Sequence, residues 1–247
     1  MINILSTLRF NIRAFGLAKG LRLPVFIYGS IKMKSIGTIR INCPIKRNLI
    51  TIGTNHDTVA APYTVFCNMG TIEIHGRVFI NYGTAFVNKG IVEFQGNNLF
   101  GNLCDIDIEH HLILGSNTFF GYKSQVTDTD HHYVVDTATK RVYRNSAPII
   151  IGNFNWFGSN CFIKKGTVTP DYLIVASPNS MLSKDYSSLP PYTVLAGCPA
   201  KPVKQGIRRV YKFANERLIN DFFCKHSDEK YYQIDKDIDL DEFCKLT

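Results

Sequence analysis

The sequence predicts a mainly β fold in which residues 70 to 185 wind into a parallel β-helix. Two observations lead to this prediction: bulky apolar residues recur at every sixth position, and whole sets of them repeat after twenty residues. A six-residue step does not suit an α-helix, which would turn such residues around its surface at about 3.6 residues per turn. It suits a three-sided coil in which each short strand contributes one inward side chain.

The predicted inward residues form two series. In the first, each coil has twenty residues, and we expect the two extra residues at a corner near residues 92–93 and 107. After residue 148 the step of six continues without interruption, which gives eighteen residues per coil. The members of the two series are Ile74, Ile80, Phe86, Phe94, Phe100, Ile106, Leu114, Phe120 and Val126, then Ile151, Phe157, Ile163, Thr169, Val175 and Met181.

Two segments leave this pattern. Residues 127–147 fit no step and are polar and charged, so we expect a loop ejected from the coil. Beyond residue 206 the period is lost, and residues 207–223 carry Val210, Phe213, Leu218 and Phe222 at helical spacing. The predicted organisation is therefore a basic N-terminal segment (1–50), a coil domain (51–205) and a C-terminal helical extension (206–247).

Charge is unevenly distributed. Lys and Arg number 28 against 20 Asp and Glu, and the first 56 residues carry nine basic groups and no carboxylate. Such a stretch favours a phosphate-bearing ligand, an anionic membrane surface or nucleic acid, or else an internal acidic partner. We expect peripheral membrane contact through an amphipathic start at residues 8–23. Nucleic acid is disfavoured, because no aromatic residues are interleaved in the way that stacks bases.

The seven cysteines form no CxxC pair and are odd in number, which predicts reduced thiols in a cytoplasmic protein. Residues 1–30 contain no apolar run of the roughly 18 to 20 residues that a bilayer span needs, and no signal-peptide cleavage site. We therefore expect a cytoplasmic chain, with any membrane association peripheral.

The ejected loop contains the densest group of proton-handling side chains in the sequence, in the order Asp128, Thr129, Asp130, His131, His132 and Tyr133. A neutral imidazole can take a proton from a hydroxyl, and a neighbouring carboxylate can fix its tautomer and stabilise the cation formed. Paired histidines on a polar loop are also often only solvated, so the cluster by itself does not establish a catalytic site.

The segment after the loop resembles the hexapeptide-repeat acyltransferases, specifically the sugar O-acetyltransferases of polysaccharide biosynthesis. The resemblance covers about residues 70–205 and rests on four ordered motifs: Ile149-Ile-Ile-Gly-Asn-Phe-Asn-Trp-Phe-Gly-Ser159, Ile163-Lys-Lys-Gly-Thr-Val168, Met181-Leu-Ser-Lys-Asp185 and Leu195-Ala-Gly-Cys-Pro-Ala-Lys201. It implies a left-handed parallel β-helix with an ejected catalytic loop, a homotrimer, and acetyl-CoA as co-substrate without a metal.

The same resemblance implies roles for individual residues. Members of the family carry D-T-D-x-H before the IxIG step, which places the catalytic histidine at His132, with a register at His131 as the alternative. Asp130 or Asp128 would orient the imidazole. The implied mechanism is direct attack of a sugar hydroxyl on the thioester, without an acyl-enzyme. The implied coenzyme contacts are Trp156, Ser159, Ser177, Lys184 and Lys201, although residues 176–180 are one residue longer than the family pattern.

The predicted function is O-acetylation of a sugar in a surface polysaccharide, capsule or lipopolysaccharide, or in its precursor. Three alternatives stay open at this point. An N-acetyltransferase on an amino sugar would use similar parts. A zinc-dependent protein like the β-helical carbonic anhydrases would need three histidines that converge between subunits, with candidates His75, His110, His111, His131 and His132. A non-catalytic scaffold would bind anions through the basic N-terminal segment.

Overall fold

Short β-strands follow one another along most of the chain. The computed structural model describes residues 1–55 and 60–245, and it separates into two units, Met1–Gln205 and Gly206–Thr247. The first unit begins with helix α1 (Ile4–Gly20). Its strands, in chain order, are β1 (Val25–Ile27), β2 (Ile31–Ser35), β3 (Thr38–Ile41), β4 (Ile50–Thr54), β5 (Thr64–Asn68), β6 (Thr71–Ile74), β7 (Val78–Asn81), β8 (Ala85–Asn88), β9 (Ile91–Phe94), β10 (Asn98–Phe100), β11 (Asp105–Ile108), β12 (His111–Leu114), β13 (Phe119–Phe120), β14 (Gln125–Thr127), β15 (Ile149–Ile151), β16 (Trp156–Phe157), β17 (Phe162–Lys164), β18 (Ile174–Val175), β19 (Met181–Leu182), β20 (Val194–Ala196) and β21 (Lys201–Lys204).

These strands form three sheets, which are the three faces of the coil. In the first sheet the order is β1-β4-β7-β10-β13-β16-β18-β20-β21, in the second β19-β17-β14-β11-β8-β5-β2, and in the third β15-β12-β9-β6-β3. Each strand pairs in parallel with the strand one coil away, and only the last described pair, β20 with β21, is antiparallel. The predicted fold class, mainly β with a parallel β-helix, an ejected loop and a helical C-terminal segment, is confirmed.

The twenty-residue repeat sets the register between coils. Ile80 pairs with Phe100, Phe100 with Phe120, and Phe120 with Phe157 on the next coil. All four side chains are buried. The rings of Phe100 and Phe120 stack at 5.0 Å between centroids, and those of Phe120 and Phe157 at 4.6 Å. Stacked aromatic rings thus fill the centre of the coil, which excludes water and contributes dispersion contacts along its axis.

The two extra residues of the longer coils lie on a face rather than at a corner. In the third sheet, one strand buries both Val92 and Phe94, and the next buries both Leu112 and Leu114. Residues 92–93 and 107, which the sequence assigns to corners, are therefore strand residues of β9 and β11. The physical reason is the alternation of a strand: lengthening it by two residues adds a second inward side chain.

The shorter coils after residue 148 confirm most of the predicted anchors. Thr169 and Val175 are buried, but Met181 is only half-buried and Leu182 takes the inward position opposite Ile163. The prediction of Met181 as an anchor is wrong, because the longer turn at residues 176–180 makes this step seven residues instead of six. A shift of one residue moves every side chain to the opposite face.

The coil begins earlier than predicted. Strands β1 to β4 already belong to the three sheets, so the coil starts at Val25 and not near residue 51. Helix α1 covers the open end: its Phe10 side chain is buried and meets Phe66 edge-on at 5.3 Å. The Asn11 amide donates to the Val25 carbonyl at 2.7 Å, which satisfies backbone groups of the first strand.

The second unit contains helix α2 (Phe213–Lys225) and helix α3 (Leu240–Cys244). Helix α2 begins six residues later than the predicted segment 207–223 and ends two residues later. The Tyr211 N–H donates to the Cys244 carbonyl at 2.7 Å, and Arg208 pairs with Asp241 at 2.5 Å. None of the helices in the described ranges has the length and hydropathy needed to cross a bilayer.

Candidate active site

The predicted loop leaves the coil between β14 and β15, at residues 128–148, and is called the ejected loop below. Its two arms run antiparallel, with bridges between Thr129 and Ser146 and between Val135 and Val142. The Asp130 N–H donates to the Asn145 carbonyl at 2.8 Å. The ejected loop is therefore a long hairpin whose base is held by backbone hydrogen bonds and whose tip is exposed to solvent.

Asp128 anchors this loop to the preceding coil. Its carboxylate is fully buried and accepts hydrogen bonds from the backbone N–H groups of Glu109 (2.8 Å), His110 (2.7 Å) and His111 (2.8 Å). Hydrogen bonds to a charged acceptor are about twice as strong as neutral ones. The Asp128 carboxylate thus binds the backbone of the turn before β12, and it is not hydrogen-bonded to an imidazole of the described residues.

His131 lies at the base of the ejected loop against two carboxylates. Its Nε2 is 3.4 Å from Oδ2 of Asp107, and its Nδ1 is 3.8 Å from Oε1 of Glu109. The backbone of His131 has a positive φ of 60°, a conformation that residues other than glycine rarely adopt. Its N–H donates to Oγ1 of Thr129 at 3.0 Å. This tight turn directs the imidazole back toward the coil.

The two carboxylates beside His131 differ in character. Burial raises the pKa of the Asp107 carboxyl, an effect that the nearby His131 and Lys89 oppose. The Lys89 ammonium, 2.6 Å away, holds the pKa of the Glu109 carboxyl below its usual value, while the same hydrogen bond raises the pKa of Lys89. Oδ1 of Asp107 is buried without a hydrogen-bond partner among the described residues. Asp107 is thus the carboxylate with unused hydrogen-bonding capacity.

His132, in contrast, is exposed, and its imidazole has no hydrogen bond or ion pair with the described part of the chain. Asp130 is half exposed and pairs with Lys165 from the turn after β17, with 2.5 Å between Oδ2 and Nζ. The structure therefore brings together His131 with Asp107, and Asp130 with Lys165. It leaves His132 open to a molecule outside the chain.

A polar cavity of about 330 Å³ lies beside His131, on the outer face of the second sheet. Carboxylates, amides, hydroxyls and one ammonium line it, a composition that matches the hydroxyl groups of a sugar better than an apolar ligand. Its lining residues are Asp105, Asp107, Gln125, Val126, Thr127, Thr129, Asp130, His131 and Lys164.

Sequence reasoning missed Asp107, Glu109 and Lys165. A signal for Asp107 was present, because it lies twenty residues before Thr127 and the two residues pair across β11 and β14. In a coil of this period, a residue one coil before the start of an ejected loop must lie beside the base of that loop.

The residues implied for coenzyme contact lie toward the C-terminal end of the coil. Trp156 is on β16, and Ser159 follows this strand in the next turn. The turn that contains Ser177 packs on the turn of the preceding coil: a Cβ added at Gly158 would lie 2.7 Å from the Cβ of Ser177. Glycine is needed for this approach, which brings the implied pantetheine contacts at residues 159 and 177 onto adjacent coils.

The two implied phosphate contacts are exposed cations. Lys184 lies with its Nζ 5.4 Å from the ring centroid of Tyr186, and Lys201 begins β21. Both side chains are free to reach a ligand in solution, and an ammonium suits phosphate as a mobile point charge.

The buried cysteines do not suit nucleophilic catalysis. Burial raises the pKa of the Cys161 thiol to about 11 and that of Cys104 to about 12. Since the thiolate is the nucleophile, both are protonated at neutral pH. Burial of these two thiols agrees with a role in packing and with direct attack of the acceptor hydroxyl on the thioester.

One cluster of possible metal ligands occurs within the described ranges of the single chain. Glu73, His75 and Glu93 bring ligand atoms within 4.8 Å of one another on the outer face of the third sheet. This cluster holds a single histidine, and Arg40 already pairs with Glu73 at 3.0 Å. His111 contacts Glu93 at 2.8 Å, while His131 lies at the loop.

The coil and its histidine-bearing loop resemble the class of hexapeptide-repeat sugar O-acetyltransferases, and comparison with known proteins agrees with this. No family model matches the chain. The chain is 26% identical over 145 residues, 51% of its own length and 71% of the relative's, to WbbJ of Escherichia coli (strain K12), described as an O-acetyl transferase of lipopolysaccharide biosynthesis.

Two solved structures are similar to this chain at low sequence identity. The polysialic acid O-acetyltransferase OatWY is 22% identical, with a TM-score of 0.40, covering 79% of this chain and 84% of its own. The polysialic-acid-specific acetyltransferase NeuO is 16% identical, with a TM-score of 0.45, covering 81% of this chain and 98% of its own. The resemblance to O-acetyltransferases of polysaccharide biosynthesis that the motifs predicted is confirmed by the sequence similarity to WbbJ.

Proposed function

We propose that this protein is an acyltransferase that moves an acetyl group from acetyl-CoA to a hydroxyl of a sugar in a surface polysaccharide, capsule or lipopolysaccharide, or in its precursor. The observation that carries the proposal is the ejected loop, in which His131 lines a polar cavity on the coil and the next residue, His132, is exposed to solvent. The ordered motifs after the loop and the similarity to WbbJ support the same class of reaction.

In the proposed mechanism an imidazole nitrogen removes the proton of the acceptor hydroxyl. The resulting oxygen attacks the thioester carbonyl, the carbon–sulfur bond breaks, and the imidazolium returns its proton to the leaving thiolate of coenzyme A. No bond to the enzyme forms, which agrees with the protonated state of the buried cysteines. Trp156, Ser159, Ser177, Lys184 and Lys201 are proposed to hold the coenzyme.

His132 is the proposed base, because the resemblance to the family implies a catalytic histidine at this position and its imidazole is exposed to solvent. His131 is the second candidate, since the Asp107 carboxylate at 3.4 Å can orient its ring and stabilise its protonated form. Asp128 is engaged with backbone amides, so we assign it to holding the loop. Asp130 stays a candidate for orienting His132.

The test is release of free thiol from acetyl-CoA with a panel of sugars, amino sugars and polysaccharides. His132→Ala should lower the rate by about 10²- to 10⁴-fold, the usual contribution of a general base. His131→Ala should lower it less, and His226→Ala, at an exposed histidine of the second unit, should change nothing. The opposite order would make His131 the base. Full activity in both loop variants would contradict the mechanism, and no thiol release with any acceptor would contradict the function.

We also propose that the protein works as a homotrimer in the cytoplasm. An apolar stripe runs along the outer face of the first sheet, where Phe79, Leu99, Phe119 and Trp156 pair in register on successive coils. None of these four side chains is fully buried in the single chain. Sedimentation equilibrium should give three times the chain mass of 27.9 kDa, and a monomer at working concentration would contradict the trimer.

A further inference from the structure

Helix α1 presents two different faces, and the inner one is fixed to the coil. Thr7, Phe10 and Asn11 are buried: Oγ1 of Thr7 accepts from the Ile27 N–H at 3.1 Å, and the Asn11 side chain bonds both backbone groups of Val25. These contacts set the rotation of the helix about its axis. The outer face is therefore a defined surface rather than the side of a loose segment.

The outer face is apolar. Leu5, Leu8 and Ile12 are spaced by three and four residues, so they form one stripe along the helix, and all three are exposed. After a kink at Gly16, where φ is 71°, Leu17 and Leu21 extend the exposed apolar surface, with 65% and 63% of their area accessible. Contiguous exposed leucines of this kind mark an interaction surface in proteins that are otherwise well packed.

Basic side chains flank the stripe. Arg9 and Arg13 lie one turn apart on the helix, and Lys19 and Arg22 follow the kink; all four are exposed. The first carboxylate in the sequence is Asp57, so no acidic group of this segment offsets them. An apolar stripe bordered by arginine and lysine is the pattern of helices that lie in the interface of an anionic membrane.

We propose that the outer face of α1 docks the protein on a bilayer that contains anionic phospholipid. The leucine and isoleucine side chains would enter the boundary between headgroups and acyl chains, and the four cations would contact lipid phosphates. The proposal concerns where the protein sits and does not rest on the proposed acetyl transfer.

A second copy of the chain fits this face less well than a membrane does. Two α1 helices meeting through the leucine stripe would bring Arg9 and Arg13 of one copy near those of the other, without a carboxylate in the segment to compensate. These like charges would repel one another. An anionic lipid surface, in contrast, is attracted by each of these cations.

The experiment is flotation of the full-length protein with vesicles of phosphatidylcholine alone and of equal parts phosphatidylcholine and phosphatidylglycerol. We expect binding to the anionic vesicles, weakening as salt is raised, and little binding to the neutral ones. The paired change Arg9→Gln with Arg13→Gln should weaken binding by about tenfold or more, and Leu5→Ser with Leu8→Ser should weaken it at all salt concentrations.

Matched controls lie in the second unit, where Leu218→Ser and Arg217→Gln change an exposed leucine and an exposed cation of α2. Both should bind like the unchanged protein. The α1 variants change only exposed side chains, so unfolding curves should confirm that all variants fold. Equal binding to neutral and anionic vesicles, or unchanged binding in both α1 pairs, would overturn the proposal. A lower oligomer mass of the variant Leu5→Ser with Leu8→Ser, without loss of vesicle binding, would also overturn it, since α1 would then join copies of the chain.

Discussion

From Ala85 to Thr127 about every second strand side chain points into the coil and is buried, whereas from His131 to Arg144 all side chains but one are exposed. The coil is held by parallel strand pairing and by stacked rings along its axis. The ejected loop is held at its base by Asp128 and a few backbone hydrogen bonds. Stability is thus carried by the coil, and the chemistry that we propose is assigned to the loop, where few packing constraints oppose it.

The largest expected effect is on the coil. Phe120→Ala removes a fully buried ring that stacks on Phe100 and Phe157, and the cavity left behind should lower the free energy of unfolding by about 3–5 kcal/mol. Urea denaturation measures this. The control Tyr133→Ala, an exposed aromatic of the ejected loop, should change stability by less than about 0.5 kcal/mol. Equal losses in the two variants would remove the distinction between the regions.

The second largest effect is expected at Asp128, where the ejected loop joins the coil. Asp128→Ala leaves three backbone N–H groups without their charged acceptor and should cost about 2–3 kcal/mol. It should also speed proteolytic cleavage within residues 131–144, since the loop base loses its anchor. Asp128→Asn keeps an acceptor oxygen and should show a smaller change in both measurements. A loop that resists protease equally in all three proteins would show that Asp128 does not anchor it.

A pH dependence follows from Glu109. Lys89 lowers its pKa in the folded state, so ionised Glu109 stabilises the fold above the ordinary pKa of a glutamate, and this contribution is lost as pH falls through the lowered value. Glu109→Gln should therefore destabilise the protein at pH 7, by less than about 1 kcal/mol because Lys89 is nearly half exposed. The difference should vanish in acid, as unfolding midpoints at a series of pH values will show. A difference that grows in acid would contradict the pairing.

The smallest expected effect concerns the ion pair between Asp130 and Lys165. Asp130 is half exposed, so Lys165→Gln should change the free energy of unfolding by no more than about 0.5 kcal/mol. A change of several kcal/mol would mean that the loop contributes to the stability of the coil far more than its exposure indicates.

Much of the coil could be predicted from the sequence, because each inward residue must be bulky and apolar and the step of six is regular. Ile80, Phe100 and Phe120 are examples that pair as predicted. The first coils were missed since their paired positions, Val25 with Ile50 and Ile50 with Val78, are 25 and 28 residues apart, so no fixed period reveals them. Helix α1 as a cap was missed because its Phe10 meets Phe66, a residue far along the chain, only once the coil has formed.

The candidate site was predicted in part. The loop and its histidines stand out in the sequence because they break the repeat, and motif order indicated which residue matches the catalytic histidine of the family. The partners of His131, Asp107 and Glu109, come from the preceding coil, so only the pairing of β11 with β14 brings them beside the loop. The buried state of Asp128 could not be predicted either, because it depends on the amide groups of a turn eighteen or so residues earlier.

The most direct measurement is on a protein in which residues 131–144 are replaced by two glycines. The Asp130 N–H already bonds the Asn145 carbonyl at 2.8 Å, so the cut ends are adjacent and a short link can join them. We predict an unfolding midpoint within about 3 °C of the full-length protein, and thiol release from acetyl-CoA reduced to background with an acceptor that the unchanged protein acetylates. Retained thiol release in the shortened protein would contradict the assignment of the chemistry to the ejected loop.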